Sequence, residues 1–232
     1  MGIVSPNRHL LAAVATKLEP ILDKVVFVGG HVVELLLTDP AAIRVRATTD
    51  VDVVVAGTRL EYHRMEERIR ELGFHHDVAD APICRWRTNE GYVLDLMPVN
   101  EEILGFSNKW YAMALERTEQ RVLANGIAIT IPQAAIFLAT KLAAFHGRGH
   151  DDLLGSHDLE DIITLVAGRP ELVSEIADES EPVRGWVAAR VKGLLDHPDF
   201  PYALQGALPD AAELPEYRKG VRGRFEAIAA LT

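Results

Sequence analysis

The stretch Thr48-Thr49-Asp50-Val51-Asp52-Val53-Val54-Val55, TTDVDVVV, decides how the rest of the chain is read. A β-branched run ended by Ala56-Gly57 reads as a strand. Successive strand side chains point to opposite faces, so Asp50 and Asp52 share a face with Val54, while Val51, Val53 and Val55 occupy the other. The two aspartates would stand roughly 6.5–7 Å apart at Cα. Two negative charges side by side on a half-apolar strand call for a partner of opposite charge.

Upstream, VVFV (25–28) is a short apolar run that reads as a buried strand. Gly29-Gly30 follow, and then HVVELLL (31–37) reads as a helix closed by TDP. Further upstream, residues 7–23 read as one helix, with Leu10, Leu11, Val14, Leu18, Ile21 and Leu22 at helical spacing. Downstream, residues 59–72 are amphipathic and highly charged, with Gly73 as a stop. PICRWRT (82–88) and YVLDLMPV (92–99), separated by NEG, read as a hairpin, and GIAITIP (126–132) as another strand. From Gln133 onward the pattern is helical. The expectation is therefore an α+β fold: a mixed β-sheet core with flanking helices over residues 1–131, then a helical C-terminal region over 132–232.

Composition narrows the function. The chain has 232 residues, 48% hydrophobic and 25% charged, as expected of a globular protein without repeats or low-complexity tracts. Its formal net charge of −10 argues against tight non-specific binding to nucleic acid, although it leaves room for a local basic groove. Cys84 is the single cysteine, which excludes an internal disulfide and cysteine-based zinc sites. The nine histidines, His146, His150 and His157 among them, match no strong zinc spacing. No apolar run approaches ~20 residues. HLLAAVA near the start is short and soon followed by Lys17 and Glu19, a poor signal peptide. A soluble cytoplasmic protein with no membrane association is expected.

Asp95 lies mid-strand in YVLDLMPV, on a face with Val93 and Met97. Three carboxylates on adjacent strands would repel one another, and isolated buried ones are costly. A divalent cation removes the problem. Mg²⁺ suits carboxylates and usually takes one or two of them together with substrate phosphates. Two such ions can clamp the attacking and leaving oxygens of a phosphoryl or nucleotidyl transfer. The Gly29-Gly30 turn, opening onto a helix, offers bare backbone N–H groups to a triphosphate.

FVGGHVVELLL followed by RATTDVDVVV resembles the nucleotidyltransferase superfamily that includes DNA polymerase β. More narrowly, Arg46-Ala47-Thr48-Thr49-Asp50-Val51-Asp52 and ATKLAAFHGRGHDD…SHDLEDI resemble the AbiEii/AbiGii toxin-type nucleotidyltransferases. The resemblance spans about residues 25–166. It implies a nucleotidyltransferase core in which Gly29 and Gly30 hold the triphosphate and Asp50, Asp52 and Asp95 bind two Mg²⁺. It further implies that Arg46, Thr48 and Lys141 contact the nucleotide and that Asp158 readies the acceptor hydroxyl. The implied reaction transfers a nucleoside monophosphate from an NTP, releasing pyrophosphate, to a tRNA, a protein or a small molecule. The implied context is the toxin of a toxin–antitoxin pair, with an antitoxin protein as partner. A catalytically inactive nucleotide-binding protein on the same scaffold is the alternative.

Individual residues carry two readings each. His31 stands where the superfamily often has a hydroxyl; its ring either donates to a phosphate or packs against the helix. Lys141, in the apolar AIFLATKLAAF, either snorkels to solvent or meets a phosphate. Arg148 adds to that face only if the helix extends past Gly147. Asp158 and Asp161, after Ser156, either stabilise a helix start or serve catalysis, with Asp161 positioning Asp158 or a basic neighbour. Trp110 and Tyr111 either stack a base or fill the core. Arg218, Lys219, Arg222 and Arg224 either touch an acceptor RNA or keep the surface soluble.

Overall fold

Ser5 accepts a hydrogen bond from the Arg8 amide and Pro6 presets its own φ, so the first helix, α1, starts at the proline (Pro6–Lys17). It does not continue to residue 23. Pro20 cannot donate to an α-helical ladder, and the chain tightens into a 3₁₀ segment, Glu19–Lys24. A computed structural model describes residues 5–39, 45–76, 82–147, 153–208 and 215–231. The architecture is mixed α+β with a five-stranded mixed sheet, a small second sheet and a helical C-terminal region. The chain divides into two units, Met1–Val32 with Ala47–Gln133, and Val33–Arg46 with Ala134–Thr232.

The remaining elements of the first unit follow in order. They are β1 (Val26–Val28), α2 (Gly30–Leu36, which ends in the second unit), β2 (Asp50–Val55), α3 (Arg59–Glu71), β3 (Phe74–His76), β4 (Arg85–Thr88), β5 (Val93–Pro98), α4 (Glu101–Leu104), α5 (Tyr111–Glu116), β6 (Thr118–Val122) and β7 (Ala128–Pro132). The large sheet runs β1-β2-β5-β4-β3, and β6 pairs with β7 separately. Among the described residues only β2 and β5 pair in parallel, and their register sets Asp52 beside Asp95.

Strand alternation sorts this sheet into two faces. One carries Phe27, Val51, Val53, Trp86, Leu94 and Leu96, all fully buried. Burying each of its Val or Leu side chains is worth about 1.5–3 kcal/mol. Helix α3 packs there: the Tyr62 hydroxyl donates to the Leu96 carbonyl at 2.9 Å, and the Arg70 guanidinium lies 5.1 Å from the Trp86 ring centre. The other face is divided along its length. Val28, Val54, Cys84, Met97 and Tyr111 form an apolar cluster, and beside it on the same face stand Asp50, Asp52 and Asp95. The expected charged helix is α3, closed at its start by a reciprocal Thr58–Glu61 capping box and followed by Gly73 at φ +88°.

The second unit's remaining helices are α6 (Ala134–Gly147), α7 (His157–Gly168), α8 (Leu172–Ala177), α9 (Glu181–Asp196), α10 (Phe200–Ala207) and α11 (Pro215–Ala229). Helix α6 buries almost its whole circumference, Lys141 included. Among the described residues, no helix is long and apolar enough to cross a membrane.

Candidate functional site

Gly29 shapes the first group of candidate residues. Its φ of +78° is a left-handed conformation that glycine adopts without strain. A Cβ at this position would lie 1.9 Å from the Asp52 Oδ2 atom. Glycine here therefore serves a close approach of backbone to carboxylate, and not merely a turn. Gly30 is buried and begins α2, and the Val32 amide bonds back to the Gly29 carbonyl at 3.2 Å. With only seven residues, α2 has a short dipole. An anion at this turn would meet mainly its backbone N–H groups.

Asp50 and Asp52 are half-buried, and Asp95 is buried. The parallel register seats Asp52 next to Asp95, where strands lie about 4.8 Å apart and like charges repel. Arg85, on the antiparallel neighbour β4, is the register partner of Asp95. Its Nε donates to Asp95 Oδ1 at 2.8 Å and its Nη2 to Asp95 Oδ2 at 2.7 Å. The same Nη2 donates to Asp50 Oδ2 at 2.7 Å. One guanidinium thus ties together carboxylates from two strands. Hydrogen bonding to Asp95 raises the Arg85 pKa; burial opposes the rise, and attraction from Asp95 and Asp50 adds to it.

The sequence reading missed Arg85. The signal was RWR inside PICRWRT: alternation around Trp86 sends both arginines to the face opposite the tryptophan. Its partner became readable only once β4 was paired with β5.

Beside this group, His31 is buried, and its Nδ1 lies 2.6 Å from the Thr48 hydroxyl. The Thr48 amide donates to the Asn7 side chain at 3.0 Å, and its hydroxyl lies 3.2 Å from the Asp50 carbonyl. The His31 ring thus contacts the segment leading into β2. Trp110 and Tyr111 are likewise buried, Tyr111 within the apolar cluster. Cys84 lies in that cluster too, its thiol pushed up to about 12 by burial, which leaves it an inert hydrophobe.

The second group belongs to the second unit. Asp161 is 1% exposed and is the hub. Arg46 grips it with Nε at 2.8 Å and Nη2 at 3.0 Å. Lys141 Nζ lies 2.7 Å from Asp161 Oδ2 and 3.2 Å from Asp158 Oδ1. Ser156 caps α7 by accepting from the Leu159 amide at 3.2 Å, which fixes the turn that presents both aspartates. Burial works against ionising Asp161, but attraction from Lys141 and hydrogen bonds from Arg46 overcome it and hold the carboxyl below its ordinary pKa. Burial likewise opposes the Arg46 charge, and Asp161 outweighs it, raising the Arg46 pKa.

Lys141 does not snorkel; it is buried and ion-paired. Of the two roles expected of Asp161, positioning Asp158 or a basic neighbour, its contacts show the second: it holds both Arg46 and Lys141. Spacing along α7 placed the two aspartates on one face, but it could not show that α6 and the segment before β2 deliver their cations to the more buried one. Arg148 and His150 lie outside the described residues. Of the C-terminal basic cluster, Arg224 donates to the Val166 and Ala167 carbonyls, and Arg222 pairs with Glu226 at 3.0 Å.

The donor chemistry of Asp50, Asp52 and Asp95 fits a hard divalent cation, since all three offer carboxylate oxygens. Among the described residues no three acidic, histidine or cysteine side chains already converge as a ligand set. In this arrangement Arg85 supplies positive charge to Asp50 and Asp95. Neither a protein-family model nor a curated protein sequence matches the chain.

Proposed function

We propose that this chain is a Mg²⁺-dependent nucleotidyltransferase that moves a nucleoside monophosphate from an NTP to an acceptor hydroxyl and releases pyrophosphate. The observation that carries the reading is the Gly29 backbone pressed against Asp52, which the sheet register sets beside Asp95 with Asp50 two residues away. A glycine turn against an acidic strand brings N–H donors for phosphate and oxygen ligands for metal within a few ångströms of each other. That pairing is the minimum equipment for handling a metal-bound triphosphate.

On this reading Asp50, Asp52 and Asp95 hold two Mg²⁺, which supply Lewis acidity and charge neutralisation when bound. The Gly29-Gly30 backbone orients the triphosphate. His31, against the Thr48 hydroxyl, either donates to a phosphate or holds the entry to β2. Lys141, Arg46 and Asp158 keep the roles that the resemblance implies: phosphate charge for the two cations and proton acceptance for the aspartate. The acceptor is a tRNA 3′ end, a protein hydroxyl or a small molecule, and the proposed setting is the cytoplasmic toxin of a toxin–antitoxin pair.

Incubation with α-labelled NTPs, Mg²⁺ and each acceptor class tests the assignment. Metal-dependent label transfer is expected from the native protein; transfer undiminished in Asp50→Ala and Asp52→Ala would sink it. The second reading, a nucleotide-binding protein without turnover, is favoured by one observation, the hold of Arg85 on Asp50 and Asp95. NTP binding that ignores Mg²⁺, with no product from any acceptor, would select it.

A further inference from the structure

We propose that Arg85 is a built-in competitor for the divalent cation, keeping Asp50 and Asp95 engaged until a phosphate ligand draws its guanidinium away. The inference rests on reading Asp50, Asp52 and Asp95 as metal ligands. It adds a regulation of that site: metal entry is conditional on the triphosphate.

The geometry is that of a strong competitor. Arg85 meets Asp95 through two parallel N–H···O bonds of 2.8 and 2.7 Å, the forked arrangement that binds carboxylates most tightly. Its Nη2 is shared with Asp50 at 2.7 Å, so the guanidinium spans the two strands that a metal would have to span. A divalent cation would seek the same oxygen lone pairs and would be repelled by the fixed positive charge. The register of β4 with β5 tethers Arg85 opposite Asp95, so the competitor stays at high effective concentration.

The cluster is also releasable. The side chains of Asp50 and Arg85 are 33% and 24% exposed, against 10% for Asp95, so the open edge of the cluster is the Arg85–Asp50 contact. Phosphate is the other anion that matches the planar guanidinium fork. A triphosphate therefore offers Arg85 a replacement partner while it freshly exposes carboxylate oxygens. Metal and nucleotide then bind with positive coupling, and by linkage each strengthens the other by the same factor. No covalent step is involved.

Calorimetric titration of the full chain with Mn²⁺ tests this, with and without an ATP analogue carrying a methylene in place of the α–β bridging oxygen. The proteins are the native chain, Arg85→Gln and Arg85→Lys, each checked for fold by circular dichroism. The native chain is expected to bind Mn²⁺ weakly alone and about tenfold or more tightly with the analogue, the scale of one charge-assisted hydrogen bond. Arg85→Gln is expected to bind Mn²⁺ alone about tenfold more tightly than the native chain and to show about tenfold less coupling, keeping only the part that comes from phosphate oxygens shared with the metal. Arg85→Lys falls between the two, and decides the matter if Arg85→Gln does not fold. Equal or weaker Mn²⁺ binding in the variants, with native binding measurable, overturns the competitor role and leaves the metal reading standing. No Mn²⁺ binding by any folded protein under either condition overturns the metal reading and the competitor role together.

Discussion

Two ion clusters invite comparison, one in each unit of the chain. In the second unit, Asp161 binds both Arg46 and Lys141, Lys141 also meets Asp158, and Asp161 and Lys141 are buried. In the first unit, Asp50, Asp52 and Asp95 share a sheet face with the guanidinium that ties two of them, and its open edge reaches solvent. A buried, ion-paired network sets positions: each member is costly to leave alone, so the geometry is rigid. An acidic, partly open cluster keeps electrostatic capacity for an incoming cation. The contrast is one of burial and of charge balance around the carboxylates.

The comparison breaks first at Asp161. Asp161→Asn leaves Arg46 and Lys141 without their common carboxylate, and a loss of about 3–5 kcal/mol is expected in urea unfolding. A loss below about 1 kcal/mol would mean that the second cluster is not a structural hub.

Gly29→Ala comes next. Its left-handed φ and the Cβ contact with Asp52 combine, and about 1–3 kcal/mol of strain is expected. Gly73→Ala is the control: its φ of +88° is similar, but no atom stands within 4 Å of the added Cβ. Thermal unfolding of the two variants side by side isolates the price of crowding Asp52, and equal shifts would show that the Gly29 approach has no special tightness.

Acid titration separates the clusters more gently. Asp161 is held below the ordinary Asp value of 3.8, so its contribution is fully present above that value. The contribution is lost as pH falls through the depressed folded value. Melting curves from about pH 6 to about pH 2 should therefore show a steep low-pH loss in the native chain that is flattened in Asp161→Asn.

The smallest effect on stability is expected at Asp52. Asp52→Asn should change the unfolding free energy by less than about 1 kcal/mol while abolishing metal-dependent label transfer. Unfolding of that variant, followed by circular dichroism, would place Asp52 with the structural cluster instead.

These contrasts also explain what was readable in advance. Period-2 alternation in Asp50–Val55 and around Asp95 announced the strands and the faces of their carboxylates, because side-chain direction is a local property. Arg85 was visible as a residue but not as a partner, since register between strands distant in sequence is not written in either strand alone. The strand Thr118–Val122 escaped notice because TEQRV has no apolar alternation; its pairing with Ala128–Pro132 supplies what its side chains do not announce. Phe74–His76 was hidden behind the helix stop at Gly73. Asp161 could be placed beside Asp158 or a basic neighbour but not ranked by depth, because helical spacing gives a shared face and not a burial.

The parallel pairing of β2 with β5 has a consequence for how the protein comes to exist in time. The β1–β2 and β3–β4 pairs are complete before β5 is reached along the chain, and each of them faces β5 with an unfilled edge. A parallel pair requires a long crossover, and closing one is entropically slow. The strand that carries Asp95 is thus the keystone of the sheet. The local antiparallel pairing of β4 with β5 sets Asp95 against Arg85, and the distant parallel closure of β5 on β2 then joins the two halves of the sheet. Refolding should accordingly show Asp95 joining Asp50 and Asp52 in the slowest phase, and a chain ending before β5 should aggregate through the unfilled edges of β2 and β4.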